Sequence, residues 1–149
     1  MRAIVQRVTY SSVSINNELV SEIKKGLNVL VGISNNDNNK DLLYIKDKII
    51  NLRIFEDEDG KMNKSLLDVN GELLIVSQFT LYGDCRKGRR PSFIEALSGE
   101  SAKQIYLDFV KECEKELPTV KCGVFGADMK VIIHNDGPVT IMLDSKKNF

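Results

Sequence analysis

The chain has 149 residues, 42% of them hydrophobic and 28% charged, and its 21 Lys plus Arg are balanced by 21 Asp plus Glu. That length and composition fit one soluble globular domain over residues 1–149, while a formal net charge of zero excludes a surface coated throughout by nucleic acid, so any such contact must be a local patch. The single histidine, His134, excludes a two-histidine metal site within one chain and leaves a Ser-His-Asp triad only one possible base.

No run approaches the ~20 apolar residues of a membrane helix, and the opening "MRAIVQRVTYSSVSI" has no apolar signal core. The cysteines Cys85, Cys113 and Cys122 are odd in number and form no C-x-x-C pair. Neither a disulfide framework nor a zinc knuckle is expected, and the expected compartment is the reducing cytoplasm. No metal, cofactor or membrane partner is expected.

In chain order, "RAIVQRVTYSSVSI" is rich in β-branched residues, and Asn16-Asn17 separates it from "ELVSEI" as a hairpin turn does. "LNVLVGI" after Gly26 suits a buried strand. The Asn-rich "SNNDNNKD" reads as a solvated loop ending in a helix cap. From Asp41, Leu42, Ile45, Ile49 and Leu52 recur at helical spacing. "EDEDG" reads as a solvated acidic turn, since it lacks the ligand spacing of a calcium loop. "ELLIVSQFTLYGD" reads as a central strand; if extended throughout, Leu74, Val76, Gln78, Thr80 and Tyr82 share one face. A second helix fits "SAKQIYLDFVKECEKEL", with Tyr106, Phe109, Val110, Cys113 and Leu117 on one stripe and Pro118 ending it. Three short β-runs follow: "VKCGVF", "MKVIIH" and "VTIML". The class is α+β, an antiparallel-rich sheet with two main helices.

Three stretches carry possible chemistry. Ser77, Gln78 and Thr80 interrupt an apolar strand, and buried polar side chains there need partners, either structural or bound. A Thr80 nucleophile lacks an adjacent base. In "GDCRKGRRPSF", Arg86, Lys87, Arg89 and Arg90 fall within five residues, a solvated loop or a phosphate grip. "HNDGPVT" reads as a turn in which Pro138, with no N–H to donate, stands before an apolar run.

Taken together, "MRAIVQRV", "SQFTLYGD" (77–84), "RRPSF" (89–93), "FGADM" (125–129) and "NDGPVT" (135–140) closely resemble the D-aminoacyl-tRNA deacylase family of chiral-proofreading enzymes. The resemblance runs from Met1 to about Leu143. It implies a barrel-like core and a homodimer with each active site at the subunit interface. It further implies that Gly137 and Pro138, joined by a cis peptide, enter the partner's pocket, where their carbonyl oxygens collide with an L side chain and spare a D one. Glycine, with no side chain to clash, would also be released. The substrate would be the 3′ end of an aminoacyl-tRNA, with the ribose 2′-hydroxyl assisting hydrolysis. Position by position, Ser77 and Gln78 would line the pocket floor. Backbone N–H groups at Phe79 and Thr80 would stabilise the developing charge, and Thr80 would belong to the catalytic site whether or not its hydroxyl takes part in the chemistry. Arg7 would orient the Gly-Pro carbonyls, and Phe125, Gly126, Ala127 and Met129 would hold the adenosine. Arg86, Arg89 and Arg90 as contacts to the tRNA backbone follow from charge alone.

Three rival readings stand beside this one, of which a purely structural dimer explains neither the polar strand nor the Gly-Pro pair. A non-catalytic RNA-binding module would share the basic loop but should show aromatic stacking positions beside it, and Phe93 is the only aromatic there. A hydrolase using Thr80 as nucleophile on a small ester or amide should lose activity in Thr80→Val. DNA is not an expected partner.

Overall fold

The computed structural model describes residues 1–149. The long strand β1 (Arg2–Ile15) organises it, because its 14 residues are enough to serve three neighbours. It turns at Asn16-Asn17, both at positive φ, into antiparallel β2 (Glu18–Ile23), which pairs with its second half. Its first half pairs antiparallel with β3 (Gly26–Gly32). The other edge of β1 pairs along most of its length with β8 (Lys130–Asp144). Beyond β3 the sheet continues in parallel through β6 (Glu72–Ser77) and β7 (Val120–Cys122). The Ser21 hydroxyl donates to the Cys122 carbonyl at 3.0 Å, so β2 comes round to β7 and the mixed sheet nearly closes into a barrel. A small hairpin of β4 (Phe55–Glu56) and β5 (Met62–Lys64) encloses the acidic turn.

Alternation along β6 explains the two cores. Leu73 and Ile75 face the helices, packing with Val5, Leu27 and Val29 against Leu42, Ile45 and Ile49 of α1 (Asn39–Asn51) and Tyr106 and Phe109 of α2 (Gly99–Glu114). Leu74 and Val76 face the barrel side with Val8, Val13 and Ile23, and Met129, Val131 and Ile133 pack onto them. Each such fully buried side chain contributes about 1.5–3 kcal/mol. Asn38 caps α1 reciprocally: its side chain accepts from Lys40 N–H at 2.9 Å and its own N–H donates to Asp41 at 3.0 Å, an arrangement worth about 1 kcal/mol.

Three expectations from the sequence need correction. The strand read over 72–84 ends at Ser77, and Phe79–Tyr82 forms a 3-10 turn. Its ladder partners run out there: β3 is paired only as far as Val31↔Ser77, and β7 only as far as Ile75↔Cys122. The chain then folds back over Gly32, where a Cβ would lie 3.0 Å from Leu81 Cβ and 3.1 Å from the Gln78 carbonyl. "MKVIIH" and "VTIML" are not two strands joined by a turn. Both belong to β8, because β1 is long enough to pair with each half. "VKCGVF" is strand only to Cys122, and Phe125 lies in the turn that follows. No helix is long and apolar enough to cross a membrane.

Candidate active site

The end of β6 opens onto a cavity of about 520 Å³, a volume within the usual range for small-molecule sites of about 300–1,000 Å³. Ser77, Gln78 and Phe79 line it, together with Phe125, Gly126, Ala127 and Met129. Phe93 and Leu97, with Ser98 and Gly99 at the start of α2, complete the lining. The structure thus brings together seven of the sequence-derived positions from two segments about fifty residues apart.

The two segments have separate supports. The Gln78 N–H donates to the Val31 carbonyl at 2.7 Å, continuing the β3 ladder one residue past the strand. The 3-10 turn begins with Leu81 N–H to the Gln78 carbonyl at 3.3 Å, so the N–H groups of Phe79 and Thr80 precede its first bond and have no acceptor within it. Thr80 stands just outside the cavity lining, and its hydroxyl takes a hydrogen bond from the Gln78 carboxamide at 2.5 Å. Phe79 and Phe93 meet edge to face, 5.0 Å between centroids, leaving an exposed aromatic rim. Behind Phe125 lies the buried Tyr106 ring at 5.7 Å, whose hydroxyl donates to the Ile75 carbonyl at 2.8 Å. Burial pushes the Tyr106 phenol well above its ordinary range.

Gly137 and Pro138 lie elsewhere, outside the cavity lining. The ladder between β1 and β8 runs Gln6↔Thr140 and then Val8↔Asn135, so Arg7 alone faces the four residues 136–139. These four make an excursion from the sheet on which Gly137 and Pro138 are exposed. Their peptide bond is cis. Gly137 has φ +116°, and a Cβ there would lie 3.0 Å from Arg7 Nη2, so both backbone conformation and space require glycine. Arg7 is only 6% exposed. Its Nη1 donates to the Ile54 carbonyl at 2.7 Å, and its Nε lies 3.1 Å from Asp136 Oδ2.

The basic loop is also apart from the cavity lining. Arg86 is engaged within the loop, its Nε and Nη2 donating to Asp84 at 2.8 and 2.7 Å. That fork holds the Asp84 carboxyl well below the usual carboxylate range. Lys87, Arg89 and Arg90 are exposed. His134 is on β8, its ring 5.3 Å from that of Tyr10, and does not line the cavity. No three His, Cys, Asp or Glu side chains converge to hold a metal. Phe93 and Leu97 were missed as wall residues by sequence reasoning; the aromatic in "RRPSF" was the one available signal.

Polar side chains of Ser77 and Gln78 among aromatic and apolar ones, with N–H groups at the first turn of a 3-10 segment and no histidine in the lining, suit a hydrolase that acts by positioning and charge stabilisation. The comparisons agree on a hydrolase. The family model described as D-Tyr-tRNA(Tyr) deacylase matches residues 4–144. The chain is 66% identical to the D-aminoacyl-tRNA deacylase of Clostridium novyi (strain NT) and 64% identical to that of Clostridium acetobutylicum, in each case over the full length of both chains. Among solved structures, one named c-Myc DNA Unwinding Element Binding Protein superposes with a TM-score of 0.93 at 47% identity, covering 97% of this chain and 98% of that one. A probable eukaryotic D-amino acid tRNA deacylase shares the fold, with a TM-score of 0.73 at 21% identity and coverage of 95% and 97%. The chain belongs to the D-Tyr-tRNA(Tyr) deacylase family.

Proposed function

We propose that the protein hydrolyses the ester of D-aminoacyl-tRNA, releasing the free D-amino acid and tRNA, and that it also clears glycine from mischarged tRNA(Ala). The observation that carries the chiral part is a separation. The cavity holds Ser77, Gln78 and Phe79, while Gly137 and Pro138 stand exposed on an excursion that does not line it. A filter displayed away from its own pocket suits use in another copy, so the working unit is a homodimer with Gly137-Pro138 entering the partner's cavity.

In this reading the adenosine end of tRNA lies against Phe125, Gly126, Ala127 and Met129, with the aminoacyl group toward Ser77 and Gln78. The N–H groups of Phe79 and Thr80 donate to the carbonyl oxygen as charge develops. The ester is already reactive, and the neighbouring ribose 2′-hydroxyl assists its hydrolysis, so no protein base is required. Gly137 and Pro138 meet an L side chain with backbone oxygens, and Arg7 holds that backbone in place. Rejection needs about 1.4 kcal/mol per tenfold, within reach of a rigid clash. The pocket does not grip a D side chain, so many D-amino acids are accepted.

The solved relative named for a DNA element raises DNA as a ligand. The family match and the full-length relatives at 64–66% identity are D-aminoacyl-tRNA deacylases, so a tRNA end is the better fit. The setting proposed is the cytoplasm.

The test is deacylation of D-tyrosyl-, L-tyrosyl- and glycyl-tRNA by the purified protein, with and without chelator. Loss of the D and glycyl esters with the L ester spared is expected. Equal cleavage of D and L would remove the filter, and no cleavage at all would leave an RNA-binding module.

A further inference from the structure

The excursion that carries Gly137 and Pro138 has a neck, and one side chain closes it. Asn135 is the last residue of β8 in register before the excursion, opposite Val8, and Thr140 the first after it, opposite Gln6. Where four residues face one, regular ladder bonds cannot form, and carbonyls on both sides are left without N–H partners. The Asn135 carboxamide meets this need. Its Nδ2 donates to the Arg7 carbonyl at 3.0 Å and to the Val139 carbonyl at 3.0 Å. Both amide hydrogens are therefore used. Its Oδ1 accepts from the Thr140 hydroxyl at 3.3 Å, which in turn accepts from Gln6 Nε2 at 3.3 Å. One side chain thereby ties β1 to the near and far ends of the loop.

We infer that Asn135 is a positioning residue for the rejection of L-aminoacyl esters, fixing how far Gly137 and Pro138 project by bridging the Arg7 and Val139 carbonyls. This rests on the chiral filter proposed above. A filter that works by collision depends on a fixed position, because a loop that can retreat lets the L side chain in. Arg7 holds the excursion from beneath, through the carboxylate of Asp136. Asn135 holds it at the neck, through backbone. Without the carboxamide, two carbonyls face each other with no donor between them, and the loop can relax while the flanking ladder persists.

The test compares kcat/KM for D-tyrosyl- and L-tyrosyl-tRNA in the wild type, Asn135→Asp, Thr140→Val and Pro138→Ala. Asn135→Asp keeps the shape and replaces two donors by an acceptor. It is expected to lower the D-over-L ratio at least tenfold. Thr140→Val, which frees the carboxamide to rotate, should lower it in the same direction by less. A purely structural Asn135 would lower both rates in parallel, together with the melting temperature, and leave the ratio unchanged; that result overturns the inference. If Asn135→Asp does not fold, Thr140→Val decides alone, a lowered ratio supporting the inference and an unchanged one overturning it. Pro138→Ala separates the two levels. A ratio lowered in Pro138→Ala but unchanged in both neck variants overturns the role of Asn135 only. A ratio unchanged in all three variants overturns the filter and the role of Asn135 with it.

Discussion

The Gln78 carboxamide donates to the Thr80 hydroxyl across 2.5 Å, and this pairing bears on how the ester is broken. A nucleophilic hydroxyl needs a base to take its proton. Thr80 instead accepts a hydrogen bond from a neutral amide that has no basicity to offer. The hydroxyl helps to set the Gln78 side chain at the cavity wall. Thr80→Val should therefore keep kcat/KM on D-tyrosyl-tRNA within about threefold, or about 0.7 kcal/mol. A Thr80 nucleophile would instead cost on the order of a thousandfold or more, since removal of such groups abolishes the covalent route. Single-turnover assays, with a search for an acyl-enzyme by mass spectrometry, distinguish the two.

Arg7 is the cation beneath the excursion, nine-tenths buried and shared between the Ile54 carbonyl and Asp136. Arg7→Met keeps the bulk and removes the Nη1 donor and the charge. One carbonyl is left without its donor, while Asp136, 44% exposed, can turn to water. The stability cost should therefore sit near that of one buried unsatisfied group, about 1–3 kcal/mol. In the proposed function the D-over-L ratio should fall as well. Thermal melts and paired deacylation assays on Arg7→Met and Arg7→Lys measure both effects, and a ratio that survives in both variants would separate Arg7 from selectivity.

Much of the fold was legible because its signals are local. The alternation at Leu73-Leu74-Ile75-Val76 marked a strand with two apolar faces, and both cores meet there. The cap expected at the end of the Asn-rich loop, which the structure places at Asn38, and the stripe from Leu42 marked α1. What was misread depends on partners distant in sequence. Residues 78–82 have the composition of a strand, and nothing local reports that β3 stops pairing at Val31. Gly137-Pro138 looked like a turn between strands, since the length of β1, which pairs on both sides of it, is a property of another segment. The sequence motifs named seven residues of the cavity lining. They did not place Phe93 or Leu97 in it, nor Asn135 as the tie at the neck, because those roles arise only from tertiary contacts.

In the basic loop the four cations are not equivalent. Arg86 is neutralised by its bidentate pair with Asp84, whereas Arg89 and Arg90 are exposed. If the loop grips the tRNA backbone, Arg89→Gln with Arg90→Gln should weaken binding. It should also reduce the slope of log K against log salt by about 1.5, since each phosphate left without its cation accounts for roughly 0.7–0.9. Arg86→Gln should change the slope less, because its charge is already spoken for. Filter binding of tRNA at several salt concentrations gives both slopes. Equal effects from Arg86 and Arg89 would mean that the Asp84 pair opens on binding.

Asp41 ties the start of α1 to the turn that follows β8. Its carboxylate accepts from Lys146 Nζ at 2.8 Å, the Ser145 hydroxyl at 2.7 Å and the Asn38 N–H at 3.0 Å. Burial alone would raise its pKa, but these three bonds and the Met1 amine nearby outweigh it and hold the group at about 2, below an ordinary 3.8. The folded value is the lower one, so the ionised carboxylate stabilises the fold above pH ~4, and that contribution is lost as pH falls through about 2. Lys146 is 40% exposed on its side of the pair, and solvent screening brings the contribution down to about 1 kcal/mol. Asp41→Asn should accordingly melt below the wild type at pH 6, and the gap should narrow steadily between pH 4 and pH 2. Urea unfolding across that range measures it. A gap that is constant with pH would assign the role of Asp41 to its cap geometry and not to its charge.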